Sequence, residues 1–158
     1  MRKQVYSLIV DNTPGVLSRI AGLFSRRGYS IDSITAGVTA DPRFTRITVV
    51  ATGDEVILSQ IEKQVRKLED VREIKLLKDD DSVYRELIIV KVRVDASHRA
   101  EVISLADIFR AKVVDVEKEC LMIELTGNQS KLEAFLNLLD GYEILELART
   151  GITGLARG

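Results

Sequence analysis

The chain has 158 residues, 46% of them hydrophobic, and its 23 Lys and Arg, 24 Asp and Glu and one His leave a formal charge of −1. That length and composition suit one ordinary domain or two small ones with an ample core, without the basic surplus that nucleic acid requires or an apolar run long enough to span a membrane. The N-terminus enters a strand with no signal-peptide core, and a single cysteine, Cys120, forbids an intrachain disulfide, so a reducing cytoplasm is the expected setting.

The first strand carries Val5, Ser7 and Ile9 on one parity and Tyr6, Leu8 and Val10 on the other, and stops at Asp11. Asn12, Thr13, Pro14 and Gly15 then supply turn and helix-start chemistry. Val16, Leu17, Ile20, Ala21, Leu23 and Phe24 follow as the apolar face of an amphipathic helix, which Gly28 ends. The product is a tight strand–turn–helix corner with helix N–H groups facing outward beside a polar Asn. Such a corner suits a small anion, and a carboxylate is the simplest candidate.

Residues 31–38 and 45–51 read as a hairpin joined by Asp41-Pro42-Arg43. Gly53-Asp54 breaks the second of these strands. Ile57, Ile61, Val65 and Leu68 mark a second helix, with Glu62 and Arg66 outside, and residues 71–78 close the half with a strand through Ile74 and Leu76. The charged segment 78–82 reads as a linker.

The second half repeats the plan. A strand over 84–94 precedes a helix with Ser97 as N-cap and Val102, Leu105, Ala106 and Phe109 as its stripe. Strands over 113–116 and 120–125 flank Glu117-Lys118-Glu119. Ser130 and Glu133 have capping-box spacing ahead of Leu132, Phe135, Leu136 and Leu139, and 142–148 is the last strand.

The expected fold is therefore α+β: two tandem ferredoxin-like βαββαβ units, each an antiparallel sheet with helices on one face. The expected domains are 1–78, a linker at 79–83, and 84–158. The corner at Asp95-Ala96-Ser97-His98 lacks the Asn-x-x-Gly chemistry, so a small ligand belongs to the first half. Val38, Val49 and Val50 make the first sheet apolar enough to invite a partner, and a dimer that extends the sheet side by side is expected.

Catalytic spacings are missing: C-x-x-C, H-E-x-x-H, the P-loop and G-x-S-x-G do not occur. Cys120 opens an alternating run and reads as a small buried hydrophobe. His98 reads as a solvated first-turn residue, and Asp79-Asp80-Asp81 as a solvated linker. An enzyme in its own right is not expected.

Asn12-x-x-Gly15-x-Leu17 at the first corner resembles ACT domains, modules that bind amino acids to regulate metabolic enzymes. The likeness continues through Arg19-Ile20-x-Gly22-Leu23-Phe24-x-Arg26-Arg27-Gly28-Tyr29-x-Ile31, Gly53-Asp54, Leu68-x-x-Val71, Arg85-Glu86-Leu87 and Ile108-Phe109-Arg110. It closes with Ala148-Arg149-Thr150-Gly151-x-x-Gly154-Leu155-x-Arg157-Gly158. Together these look like the small regulatory subunits of acetolactate synthase (acetohydroxyacid synthase), and the resemblance covers essentially the whole chain.

That resemblance implies a subunit without chemistry of its own. It implies a partner, the large catalytic subunit, which holds thiamine diphosphate, Mg²⁺ and FAD and is activated by the small one. It also implies feedback inhibition by valine, bound between two ACT domains of a homodimer. By the same resemblance, the N–H groups of Gly15, Val16 and Leu17 take the valine carboxylate, and the Asn12 side-chain oxygen takes its ammonium group. Ser30 and Ile31 of the neighbouring subunit complete the pocket. The family usually has Asn where this chain has Ser30, a shorter side chain that loses a hydrogen bond or needs a water. One methylene in an apolar pocket is worth only about 1–3 kcal/mol, which keeps leucine and isoleucine as competing effectors. Two other readings compete: a stand-alone ACT-type sensor acting on another enzyme or a transcription regulator, and an RNA-binding ferredoxin-like domain. The second needs aromatic residues on the central strands, which here carry Val, Ile, Ala and Thr.

Overall fold

A computed structural model describes residues 1–158. In chain order the first unit contains β1 (Arg2–Asp11), α1 (Val16–Arg27), β2 (Ser30–Val38), β3 (Phe44–Gly53), α2 (Glu55–Arg66) and β4 (Val71–Leu77). The second contains β5 (Ser82–Arg93), α3 (Arg99–Ile108), β6 (Lys112–Val116), β7 (Cys120–Gly127), α4 (Gln129–Leu138) and β8 (Glu143–Arg149). Each is βαββαβ, with strand orders β2-β3-β1-β4 and β6-β7-β5-β8 and every pairing antiparallel. This is the α+β ferredoxin-like plan expected, twice over.

Compactness divides the chain into Met1–Val83 with Ile152–Gly158, and Tyr84–Gly151. The segment 79–83, expected as a linker, is a 3-10 turn at Asp79–Asp81 followed by the first residues of β5. The tail, expected with the second domain, groups with the first unit. It forms a short strand, β9 (Thr153–Ala156), that pairs with β5; the Arg157 N–H donates to Asp81 O at 2.8 Å, and Thr35 Oγ1 donates to Ile152 O at 3.2 Å.

In the first unit the helix-facing side of the sheet carries Tyr6, Leu8, Val10, Ile47, Val49, Ala51 and Ile74. These meet Val16, Ile20, Leu23 and Phe24 of α1 and Leu58, Ile61 and Val65 of α2. Leu17 and Ala21, expected in that stripe, lie outside it; Leu17 is 48% exposed. They sit one position beyond Val16 and Ile20, about 100° further round the helix. In α2 the buried contact is Leu58 rather than Ile57, which is partly covered.

The opposite face of the sheet is covered as well, and the apolar exposure lies at its edge. Val5, Val50 and Leu77 are buried there with Ser7 and Thr48, while Leu76, expected inside, is partly exposed. Val49 belongs to the core, so of the three valines expected to invite a partner only Val38, on the edge strand β2, is exposed (63%). Tyr6 threads a polar group through the core: its hydroxyl donates to Leu58 O at 2.8 Å, and burial pushes its pKa up to about 12.

The second core gathers Ile88, Val90 and Val92, Leu121, Ile123 and Leu125, Val102 and Ala106, and Leu132, Phe135 and Leu139. Its helix starts depart from expectation. Asn128, not Ser130, caps α4, accepting from Lys131 N–H at 3.0 Å. At α3 the cap position is His98, and Ser97 donates its hydroxyl to Asp95 instead. Cys120 is half-buried at the start of β7 rather than in the core.

Ile61 is fully buried at the centre of the first core. Ile61→Ala is expected to lower unfolding free energy by about 2–5 kcal/mol, measured by denaturant unfolding of the full chain. A loss below about 1 kcal/mol contradicts this packing.

Candidate functional site

The β1–α1 corner starts where β1 ends at Asp11. Its backbone N–H donates to Asp70 O at 3.0 Å, and Asn12 N–H donates to Arg43 O at 2.8 Å, so the chain is anchored on both sides before it turns. The Asn12 side-chain amide donates to Pro42 O at 3.0 Å. That bond fixes the side chain and leaves its oxygen available as an acceptor.

Gly15 is the N-cap of α1, with φ 86°. An L side chain is strained in that left-handed region, and a Cβ at Gly15 would lie 2.8 Å from Arg19 Nη1. No side chain caps α1, and its first turn carries no acid. Val16 N–H reaches Thr13 O only at 3.4 Å, while the amides of Gly15 and Leu17 donate to nothing in the chain. Helix starts normally satisfy these donors with a cap. Here they face outward with the positive end of the helix dipole behind them.

Two ion pairs frame the corner, and residues 51 and 61 apart in sequence give no pattern by which to find them. Arg19 Nε and Nη2 grip both oxygens of Asp70 at 2.6 and 3.0 Å, and Arg72 grips Asp11 at 2.7 and 2.8 Å. The Arg19 hydrogen bonds hold the Asp70 carboxyl below the usual carboxylate range. Both arginines are half-exposed while their carboxylates are largely covered, so the pairs order the corner more than they stabilise the fold.

Of the residues expected at the site, Asn12, Gly15, Val16 and Leu17 lie together. Val16 turns its side chain into the core, and only its backbone is available. Ser30 and Ile31 lie elsewhere. Ser30 pairs with Thr52, which pairs with Lys3, whereas the corner follows Asp11, paired with Phe44. Eight residues of β1 separate those rows, roughly 27 Å of strand. Within one chain they do not meet. The other end of β2, Val38, pairs with Thr45, which pairs with Val10, beside the corner.

The equivalent corner of the second unit is closed by its own acid. Asp95 Oδ1 accepts from His98 N–H at 3.0 Å, from His98 Nδ1 at 2.8 Å and from Ser97 Oγ at 2.7 Å. The hydrogen bonds from Ser97 and then His98 hold Asp95 down at about 2. The Asp95 hydrogen bond raises the His98 pKa above 6.5. No cluster of three or more His, Cys, Asp or Glu side chains converges as a metal site, and no helix is long and apolar enough to cross a membrane.

The sequence matches two family models in tandem: "AHAS small subunit-like ACT domain" over residues 6–73 and "Small subunit of acetolactate synthase" over residues 85–158. It is 45% identical over 152 residues to the acetolactate synthase small subunit of Mycolicibacterium smegmatis, covering 96% of this chain and 89% of that one. It is 42% identical over 157 residues to the acetolactate synthase isozyme 3 small subunit of Salmonella typhimurium, covering 99% and 96%. The crystal structure of the acetolactate synthase small subunit from Thermotoga maritima superimposes with a TM-score of 0.93 at 41% identity, over 100% of this chain and 99% of that one.

Because His98 is the only histidine, its titration is directly readable. Its raised folded pKa means that the bond to Asp95 stabilises the α3 corner at pH below about 6.5 and that this contribution fades as pH rises through the folded value. Proton NMR is expected to show His98 titrating above 6.5, and Asp95→Asn to return it toward that value. An unchanged midpoint in the variant contradicts the pairing.

Proposed function

This chain belongs to the acetolactate synthase small-subunit family, and from that premise we propose that its first unit is a valine sensor completed by a second copy of the chain. As a small subunit it is regulatory, and catalysis belongs to the large subunit. The thiamine diphosphate, Mg²⁺ and FAD of the reaction then lie in that partner, which the small subunit binds and activates. The effector domain is 1–78, and valine, an end product of branched-chain amino-acid synthesis, is the feedback signal.

The observation that carries this reading is the uncapped α1 start at the same end of the sheet as Val38. β2 is an edge strand, exposed along much of its length. If two β2 strands pair antiparallel with greatest overlap, their two-fold axis passes near Ile34. The partner's Ser30 and Ile31 then come beside Ala36, Gly37 and Val38, and so beside the Asn12–Leu17 corner. Residues some 27 Å apart in one chain become neighbours across the seam.

In that pocket the free amides of Gly15 and Leu17, with Val16 N–H released from its long bond to Thr13 O, receive the carboxylate. Asn12 Oδ1 receives the ammonium group. Leu17, exposed at the corner, and the partner's Ile31 enclose the isopropyl group. The dipole alone contributes about 0.3–1 kcal/mol, too little for a sensor. Charge-assisted hydrogen bonds of about 1.5–3 kcal/mol each supply the rest. Valine bridging two copies favours one dimer geometry, and the catalytic subunit is inhibited to the extent that valine binds that geometry better than the alternative.

Gly15→Asp puts a strained side chain and a negative charge where the carboxylate binds. In holoenzyme reconstituted with this variant, activation by the small subunit is expected to persist within about twofold and inhibition by valine to disappear, at least a hundredfold loss in apparent affinity or about 2.7 kcal/mol. Full valine sensitivity in the variant overturns the site.

A further inference from the structure

We infer that Arg46 of one copy pairs with Asp32 of the other across the β2 seam, passing over Gly37; the inference rests on the β2 pairing proposed above. On the face of the first sheet turned away from the helices, Arg46 meets no carboxylate. Its Nη1 donates to Ser7 Oγ, its other donors have no partner within the chain, and its side chain is only partly exposed. Asp32, in β2 and hydrogen-bonded to Thr52 on that same face, meets no cation. One of its oxygens accepts from Thr52 Oγ1, and the residue is exposed. A guanidinium drawn partly out of water without a counter-charge is costly, and Arg46 and Asp32 of each copy are opposite charges that the chain itself leaves unpaired.

Gly37 is what lets them meet. It sits opposite Arg46 in the β2–β3 register, and a Cβ added there would touch nothing within 4 Å. No side chain therefore stands between Arg46 and the free edge of β2. A groove of about 410 Å³ opens at this point, lined by Thr35, Gly37, Val38 and Arg46 with Thr153 and Leu155 of the tail.

Pairing about Ile34 sets the partner's Ser33 opposite Thr35. The register of β2 on β3 slips between Ile31 and Ser33, so Asp32 is the bulged residue. Carried over to the partner strand, that bulge places the partner's Asp32 on the groove face, beside Ala36 and Gly37. Two strand spacings separate Arg46 from the partner strand, roughly 10 Å, a gap that an extended Arg and an Asp side chain bridge together. Two-fold symmetry makes the contact twice in each dimer. Opposite charge, a groove that accepts the side chain and a missing Cβ along the path all select a second copy as the occupant.

A charge-swap cycle on the full chain tests this. Arg46→Glu and Asp32→Arg are each expected to raise the dimer dissociation constant at least tenfold by sedimentation equilibrium, more at low salt than at high salt. The double variant, with the pair reversed, is expected to return to within threefold of the original. Single variants that dimerise normally, or a double variant no better than the singles, overturn the ion pair. The underlying seam is read separately: Ile34→Cys, made in a Cys120→Ser background, is expected to form a disulfide-linked dimer under mild oxidation. A linked dimer with an unresponsive charge swap leaves the β2 seam standing and removes only the ion pair. A chain that does not cross-link at position 34 overturns both.

Discussion

Helix α1 begins on a glycine in the left-handed region, and the chain offers its first amides no cap. Most of what is distinctive about the first unit follows from that. A helix start left this way carries unsatisfied donors and an uncompensated dipole end, which is unfavourable unless water or a ligand meets them. The surroundings keep it open. Asn12 is tied down through its nitrogen rather than turned back onto the helix, and Arg19, gripped by Asp70 through Nε and Nη2, keeps its Nη1 close over Gly15, a donor that cannot cap the open amides. The acids nearest the corner, Asp11 and Asp70, are both occupied by arginines, so neither caps α1. In the second unit the same topological position is satisfied internally by Asp95. One fold thus carries two corners of opposite design, one requiring an outside acceptor and one needing none.

The remaining constraint is the edge. β2 has a partner on one side only, and its run of three exposed residues, Ala36, Gly37 and Val38, lies at the corner end of the sheet. The two groups of residues assigned to the proposed site cannot meet within a chain, so under that proposal a complete pocket and a symmetric seam are the same event. This gives a physical route from ligand to regulation. A small molecule that binds only between copies reports on the geometry of the pair, and its influence is bounded by its preference for one geometry over another. The tail touches the same strand through Thr35, tying β2 to the end of the chain as well as to β3.

Much of this was legible in the sequence, because the signals are local. Alternation placed the strands, the Val16, Ile20, Leu23 and Phe24 spacing placed α1, and Asn12-x-x-Gly15 marked the corner before any coordinates. Most of the failures depend on contacts between residues distant in sequence; the two helix caps fail instead through a competing side chain two residues away. Leu76 and Leu77 are equally apolar, and which one is buried depends on the register against β1 and on what covers each face. Ser97 and Ser130 have the right side chains for caps but lost the position to turns set by Asp95 and Asn128. β9 has too little apolar pattern to read as a strand and exists because its backbone pairs with β5, with Arg157 N–H donating to Asp81 O. Arg19–Asp70 and Arg72–Asp11 close over separations that no helical or strand period encodes.

The central claim is that backbone amides at the α1 start hold the carboxylate of a free amino acid, and calorimetric titration of the full chain with valine and with valinamide tests it most directly. Valinamide keeps the isopropyl and ammonium groups and loses only the negative charge. The account predicts saturable binding of valine at one site per chain and at least a hundredfold weaker binding of valinamide. Equal affinity for the two, or no saturable binding of valine, contradicts it.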